Sequence, residues 1–305
     1  MQHEARPIPT ILVTGSNGQI GFELQRSIAP LARLVALDRA SCDLARPDEL
    51  RRLMRLHRPD VIINAAAFTA VDRAEEEVEA AYAINGVAPG ILAEEAEALG
   101  SLLVHYSTDY VFDGRKTQPY VEADAPNPLS VYGQSKFAGE QAIATIGCAS
   151  LILRTSWVAG AHGRNFAKTI LALARKGDQL RVVADQFGAP TTAALVADTT
   201  AQIVSRSWLN GDRAGFPSGT FHLTAGGRTS WHGYACEVLR HAHARGVALT
   251  TGPQGVQPIE TRDAAQLALR PSNSVLDTAR LQETFGIYLP DWKQGVHLLL
   301  DQIFS

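Results

Sequence analysis

Residues 10–21 read TILVTGSNGQIG. The first five form an apolar run without polar alternation, the pattern of a strand buried on both faces of a parallel sheet. Three glycines follow at once, Gly15, Gly18 and Gly21, spaced G-x-x-G-x-x-G. Glycine permits tight turns with positive φ, and its missing side chain lets backbone N–H groups approach a pyrophosphate. A helix opening near Gln19 would point its positive end at those phosphates. Taken alone, the trio is equally an ordinary strand-to-helix turn. A second apolar run, residues 34–37 (LVAL), ends at Asp38, 17 residues after Gly21, where an acidic side chain can accept hydrogen bonds from an adenosine ribose. This combined context predicts dinucleotide binding. Asp38 favours a free 2′-hydroxyl, whereas the adjacent Arg39 could pair with a 2′-phosphate or be a solvated loop residue. Asp43 and Leu44 could flank the adenine, although Asp43 also suits the start of the next helix.

Three more short apolar runs lie in the first half: residues 60–64 (DVIIN), 101–106 (SLLVHY) and 150–154 (SLILR). Helical patterns at 47–57 and 75–99 separate them. The β-α-β-α order predicts an α/β fold, a doubly wound, Rossmann-like parallel sheet with helices on both faces. The second half is less regular, with helices expected at 165–175, 194–207, 231–245, 278–285 and 292–303. Its longer loops suggest a smaller C-terminal substrate-binding lobe that caps the C-terminal edge of the strands, where ligands of open α/β sheets bind. The expected division is 8–156 plus 192–223 for the dinucleotide-binding domain, and 157–191 plus 224–305 for the lobe.

Composition excludes several classes. The chain has 305 residues, 46% hydrophobic and 19% charged, which suits an ordinary globular protein. A net charge of -3 argues against nucleic acid as a partner. The three cysteines, Cys42, Cys148 and Cys236, form no C-x-x-C unit, so a thiolate metal site is not expected and a reducing, cytoplasmic setting fits. No apolar run reaches the ~18 residues of a membrane span, so no membrane partner is expected. The first nine residues, MQHEARPIP, lack the apolar core of a secretory signal and read as a disordered lead-in.

Residues 130–136, SVYGQSK, place a phenol and an ammonium four residues apart in a chain with only five lysines. The proline-rich APNPLS before Tyr132 cannot be helical, and Ser130 suits an N-cap. Tyr132 and Lys136 then lie one turn apart on one helix face. A nearby ammonium lowers a phenol pKa from its usual value of about 10. Such a tyrosine can exchange a proton with a carbonyl oxygen while hydride moves to carbon, and Lys136 can also hold the nicotinamide ribose. A helix-surface pair of no consequence is the plainer reading, which the glycine turn disfavours. The fourth apolar run leads into Ser107, Thr108 and Asp109 at the ligand edge. Thr108 could bond the same carbonyl and Asp109 a substrate hydroxyl. Ser107 is the rival hydroxyl, since alternation along a strand turns only one of the two to the site.

With these residues assembled, the sequence resembles the extended short-chain dehydrogenase/reductase family from Ile11 to about Phe304. The resemblance rests on GSNGQIG, NAAAFTAVDRAE (64–75), HYSTDYVFDG (105–114), YGQSK, RTSWV (154–158), DQFGAPT (185–191) and RPSNSVLD (270–277). HYSTDYVF, RTSWV and GAPT are the narrower blocks, and they resemble members that reduce C4 of a 4-keto-6-deoxy sugar nucleotide. The resemblance implies Tyr132 as the catalytic acid, Lys136 as its partner and Thr108 as the tuning hydroxyl. It implies NADPH or NADH as cofactor, held at Gly18, Gln19 and Ile20, at Asp38, at Asp43 with Leu44, and at Ala67, Phe68 and Thr69. It implies a dTDP-sugar substrate touched by Thr108, Asp109 and Trp157, and it allows a homodimer. Trp157 is otherwise lobe-packing core. Arg270, whose planar fork can bond two oxygens at once, is the expected pyrophosphate partner, with a surface salt bridge as its plainer role.

Two departures stand out. Where relatives often read RTSWVY, this chain has Ala159, so an aromatic wall of the sugar pocket is expected to be missing. Some members use magnesium between subunits; here Glu23 remains, but Ala193 and Ala194 stand where a second carboxylate would be, and no metal ligands are assigned. His241 and His243, on the basic stretch RHAHAR, read as a solvated face. A dehydratase needs a further acid/base carboxylate near Thr108, and Asp109 is followed instead by Tyr110. A non-catalytic regulatory homologue would be free to lose Tyr132 or Lys136, and both are kept.

Overall fold

A computed structural model describes residues 7–177 and 179–305; the expected lead-in falls largely on 1–6, outside the described residues. TILVT forms strand β1 (Thr10–Thr14), buried along its whole length. Strands β2 (Arg33–Leu37), β3 (Val61–Asn64), β4 (Leu102–Thr108) and β5 (Ser150–Thr155) follow the expected runs. A sixth strand, Gly219–His222, pairs with β5. All six are parallel, in the order sixth strand-β5-β4-β3-β1-β2. The sheet is wound outward from β1 in both directions. Helix α1 (Gln19–Ile28) carries the chain to β2, and helix α2 (Pro47–His57) returns it to β3 on the other side of β1. The order therefore reverses between β1 and β3, which opens a crevice at the C-terminal ends of these strands.

The unbroken hydrophobicity of β1, β3, β4 and β5 follows from burial on both faces. Ile11, Val13, Val61, Ile63 and Val104 enter one apolar layer, and Leu12, Ile62, Leu103 and Ile152 enter the other. Helix α2 shows how local signals agree. Pro47 opens it, Asp48 and Glu49 occupy the first turn, and Leu50, Leu53 and Met54 turn inward at helical spacing.

The single helix expected at 75–99 is instead broken into Val71–Glu76, Val78–Tyr82, a π-helical turn Ala83–Val87, and Ala88–Leu99. Pro89 has no N–H to give the Asn85 carbonyl, so the regular ladder cannot pass this point. Asn85 works outward instead: Oδ1 accepts from Phe68 N (2.9 Å), and Nδ2 donates to Phe68 O and Ser135 Oγ. The break thereby anchors the loop after β3. The helix expected at 194–207 is Ala193–Ile203, continued by a π-helical turn Val204–Leu209.

A separate apolar core lies in the second half. Helices Phe166–Lys176, Trp231–Ala244 and Trp292–Phe304 bring together Ile170, Leu171, Tyr234, Val238, Trp292 and Val296. The helix Ala279–Phe285 packs elsewhere, with Leu281 and Phe285 in the layer under the sheet. The solvated face expected for RHAHAR holds for Arg240, His243 and Arg245, which are exposed, but not for His241. His241 stacks on His297 (4.2 Å between ring centroids) and bonds Asp301 Oδ1 (2.8 Å). Among the described residues no helix is long and apolar enough to cross a membrane.

Candidate active site

A cleft of about 580 Å³ runs along the C-terminal ends of the strands. The glycine turn forms one wall. Gly15 has φ +68°, and a Cβ there would lie 2.7 Å from the Ala66 backbone. A Cβ on Gly21 would meet the Gly15 carbonyl oxygen at 2.1 Å. Gly15, Gly18, Gln19 and Ile20 line the cleft, whereas Gly21 lies beneath it, where its missing side chain lets α1 pack onto the turn. Helix α1 has no side-chain N-cap bond and no acidic residue in its first turn. Its leading N–H groups thus suit an anion, and the residues present fit a dinucleotide pyrophosphate. Gln19 also ties the turn to the second half: Oε1 accepts from Gly160 N (2.8 Å) and Asn165 Nδ2 (3.1 Å).

At the far end the two candidates for the ribose differ. The Asp38 carboxylate is committed to its own turn, with Oδ1 accepting from Ser41 Oγ (2.7 Å) and Ser41 N, and Oδ2 from Asn17 Nδ2 (3.0 Å). These bonds, Ser41 first, hold its pKa below the usual carboxylate range. Asp38 does not line the cleft; Arg39, Asp43 and Leu44 do, and so do Ala67, Phe68 and Thr69 from the loop after β3.

Helix Val131–Ile146 supplies the opposite wall. Ser130 caps it, Oγ accepting from Gly133 N (3.2 Å), as the sequence predicts. A Cβ on Gly133 would lie 2.2 Å from the Tyr110 carbonyl oxygen, so glycine lets this helix close onto the segment after β4. Tyr132 and Lys136 both face the cleft. The expected lowering of the phenol pKa is not what the geometry gives. Burial pushes Tyr132 up to about 12, with Thr108 acting in the opposite direction. The Lys136 ammonium is turned elsewhere, donating to Tyr106 O (2.5 Å) and lying 3.2 Å from His105 Nε2. Burial brings Lys136 down to about 8. A charged lysine can only donate, so His105 Nε2 accepts and Nδ1 carries the ring proton. Asn64 Nδ2, placed 3.1 Å from Nδ1, is also a donor, so this tautomer requires the Asn64 amide to present its oxygen there instead. The other end of that amide is 2.7 Å from Thr14 Oγ1, so β1, β3 and β4 jointly hold the lysine's partner.

Thr108 Oγ1 donates to Asp109 Oδ1 (3.0 Å) and accepts from Tyr110 N (3.2 Å). The expected choice between Ser107 and Thr108 does not arise. Both line the cleft, because β4 ends at Thr108 and the chain turns into a 3-10 segment, Asp109–Val111. Asp109 is buried with Oδ2 unpartnered among the described residues, and burial pushes its carboxyl up to about 7. Tyr110 stands edge-on to Tyr132, with ring centroids 5.8 Å apart.

Trp157 lines the cleft beyond β5 with φ +47°, a left-handed conformation that costs a bulky residue roughly 1–2 kcal/mol. Its ring stacks on Trp231, centroids 3.6 Å apart and planes 10° from parallel. The wall expected to be missing at Ala159 is not part of the cleft. Ala159 is buried in the short strand Val158–Ala159, paired with Thr191–Thr192, and the aromatic beside Trp157 is Trp231. Arg270 also lies outside the cleft lining; Nη2 donates to Asp72 Oδ2 (2.9 Å), while Nε is buried and unpartnered among the described residues. Magnesium finds no fit within one chain. Glu23 is paired with Arg26 at 3.3 Å, Ala193 is buried, and no group of three or more His, Cys, Asp or Glu among the described residues is placed to hold a metal.

Sequence reasoning gave no role to three residues on which the geometry of the site turns. His105 and Tyr110 stood inside the quoted block HYSTDYVF without a role. Trp231 gave no local signal, since 74 residues separate it from Trp157.

A glycine turn and a tyrosine–lysine pair, the lysine buried and the tyrosine half-buried, facing each other across one cleft of a doubly wound sheet are the parts of a dinucleotide-dependent oxidoreductase. The chain belongs to the family described as RmlD substrate binding domain, whose model matches residues 9–304. It is 46% identical over 295 residues to the dTDP-4-dehydrorhamnose reductase of Burkholderia thailandensis, covering 97% of this chain and 99% of the relative. It is 44% identical to the enzyme of the same name from Escherichia coli K12, with 97% and 98% covered. Among solved structures it resembles dTDP-4-dehydrorhamnose reductase from Bacillus anthracis in complex with NADP, with a TM-score of 0.88 and 30% identity over 97% of this chain and 100% of that one.

Proposed function

We propose that this protein reduces dTDP-4-dehydro-L-rhamnose at C4 to dTDP-L-rhamnose, using NADPH or NADH. The observation that carries the reading is the placement of Thr108, Tyr132 and Lys136 on one wall of the cleft, opposite an uncapped glycine turn. The names of the full-length relatives and the NADP of the Bacillus anthracis structure support it.

The dinucleotide would be held by Gly15, Gly18, Gln19 and Ile20 at its pyrophosphate, and by Arg39, Asp43 and Leu44 with Ala67, Phe68 and Thr69 at the adenosine end. When bound, it supplies the hydride that reaches C4. Tyr132, protonated at neutral pH as a phenol is and kept more firmly so by burial, gives its phenolic proton to the C4 oxygen as negative charge develops there. Thr108, once its hydroxyl turns from Asp109, donates a second hydrogen bond to the same oxygen or to the phenol. Lys136 has three protons; Tyr106 O and His105 Nε2 take two, which leaves one for the nicotinamide ribose, while the positive charge itself favours the phenolate. Asp109 receives a sugar hydroxyl and Trp157 packs on the ring; Arg270 would have to leave its ion pair with Asp72 to reach the substrate pyrophosphate.

The second apolar core supports a separate lobe built from 157–191 and 224–305, except that Leu281, Phe285 and Leu289 pack in the layer against the sheet, so the segment around helix Ala279–Phe285 falls with the dinucleotide-binding domain. The test is to incubate purified protein with NADPH and dTDP-4-dehydro-L-rhamnose and to identify the product. NADPH oxidation with formation of dTDP-L-rhamnose is expected; no oxidation would reject the reading.

A further inference from the structure

Three observations meet at the indole of Trp157. Its backbone holds φ +47°, which a large side chain keeps only when its surroundings demand it. One face lies flat on Trp231, centroids 3.6 Å apart. The Nε1–Cε2–Cζ2 edge lies so close to Gly188 that a Cβ there would come within 2.5 Å of Cε2. Trp231 and Gly188 are themselves joined. Thr229 and Ser230 pair antiparallel with Gly188 and Phe187, and Ser230 caps the helix that Trp231 opens, Oγ accepting from Gly233 N (3.0 Å). Phe166 backs Trp231 at 4.7 Å, so the stack is continuous with the second apolar core.

The position of this stack is functional. Thr155 pairs in register with Thr108, and Trp157 is two residues past it, so the indole stands beside the reacting end of the cleft. Both tryptophans line that cleft.

We propose that Trp231, seated with Gly188, is a positioning residue that sets the substrate specificity of the reductase: it locks Trp157 as a flat apolar wall for the deoxygenated face of the keto sugar. This rests on the reductase reading above and deepens it. A 6-deoxyhexose presents a methyl group and ring C–H bonds where other hexoses present a hydroxymethyl group, and an aromatic wall accepts the first and leaves the second without a hydrogen-bond partner. If Trp157 were free to leave its left-handed conformation, the wall would be lost while the cofactor cradle at Gly15–Ile20 stayed intact.

The test uses Trp231→Leu, Trp231→Phe and Gly188→Ala in the full chain. Steady-state kinetics with dTDP-4-dehydro-L-rhamnose, NADPH titrations, and circular dichroism of the coupled tryptophan pair are measured for each. We expect Trp231→Leu to raise KM for the sugar nucleotide roughly tenfold or more, with NADPH affinity within about twofold, and to abolish the stacked-indole couplet. Trp231→Phe should recover most of the lost KM, and Gly188→Ala should raise KM without touching Trp231. An active wild type with unaltered KM in both Trp231→Leu and Gly188→Ala would overturn this inference alone. An inert wild type would overturn the reductase reading and this inference with it. Should Trp231→Leu fail to fold, Gly188→Ala with the couplet decides.

Discussion

Lys136 Nζ lies 3.2 Å from His105 Nε2, and both side chains are buried. Burial, then the charge of Lys136, keeps His105 well below its usual pKa, so the imidazole stays neutral and serves as an acceptor. Glu140, one turn further along the helix, acts on Lys136 in the other direction and favours the ammonium. The charged form of Lys136 is present below about pH 8 and is lost as pH rises through that value. We therefore expect kcat/KM to fall on the alkaline side near pH 8. His105→Leu removes an acceptor worth roughly 1.5 kcal/mol to a charged group and should move that limb down by about one unit. His105→Gln, which keeps an acceptor, should leave it in place. Identical pH profiles for the two variants would show that His105 does not tune Lys136.

Asp109 should make the protein less stable in alkali. Its carboxyl titrates at about 7 when folded, above the ~3.9 of an unfolded chain, so the folded state binds the proton more tightly. No penalty applies below about pH 4; it grows as pH rises and is complete above 7. Asp109→Asn should therefore be more stable than the wild type at pH 8, by up to about 4 kcal/mol, and nearly equal to it at pH 4. Turnover should drop. Denaturant melts at the two pH values measure this, and an equal difference at both would contradict it.

Asp38 and Arg39 bear on cofactor choice. Asp38 spends both carboxylate oxygens on Ser41 and Asn17, whereas Arg39 lines the cleft. Both cofactors should support reduction, with NADPH preferred by less than ~100-fold, the ~1–3 kcal/mol such a contact can impose. Arg39→Ala should weaken NADPH and spare NADH. A preference for NADH in the wild type would place Asp38, not Arg39, at the ribose.

The ion pair between Arg270 and Asp72 allows two roles to be separated. If Arg270 also grips the substrate pyrophosphate, Arg270→Ala should raise KM for the sugar nucleotide well beyond the effect of Asp72→Ala, with NADPH affinity nearly unchanged. Equal effects of the two substitutions would mean that the pair only fastens the 268–270 segment to helix Val71–Glu76.

Legibility tracked the range of the forces involved. β1, β3, β4, β5 and α2 were readable because burial on both faces or one helical stripe leaves a local pattern, and the edge strand β2, mostly half-buried or exposed, was readable from its short apolar run. So was the Ser130 cap, a bond between residues three apart. The break at Asn85 was hidden because a π-helical turn is decided by Pro89 together with contacts to Phe68 and Ser135. The strand Gly219–His222, GTFH, holds a single large apolar residue, Phe221, and so carries no apolar run of the kind that marks β3. In the site, Tyr132 and Lys136 were legible from spacing, but their electrostatics were not. Burial, a property of the whole fold, overrode the pairwise effect expected between them. Asp38 and Arg39 are neighbours in sequence, and only the Ser41 turn decides which one reaches the cleft. Trp231 meets Trp157 solely through the second core.

The central claim is that Tyr132 is the acid of a ketone reduction in this cleft. Its most direct measurement pairs wild type with Tyr132→Phe, following NADPH oxidation by dTDP-4-dehydro-L-rhamnose and, separately, NADPH binding. We expect turnover to fall by about two to four orders of magnitude, the usual share of a general acid, while NADPH binds nearly as before, since the phenol acts mainly in the transition state. Near wild-type turnover in Tyr132→Phe would contradict the claim.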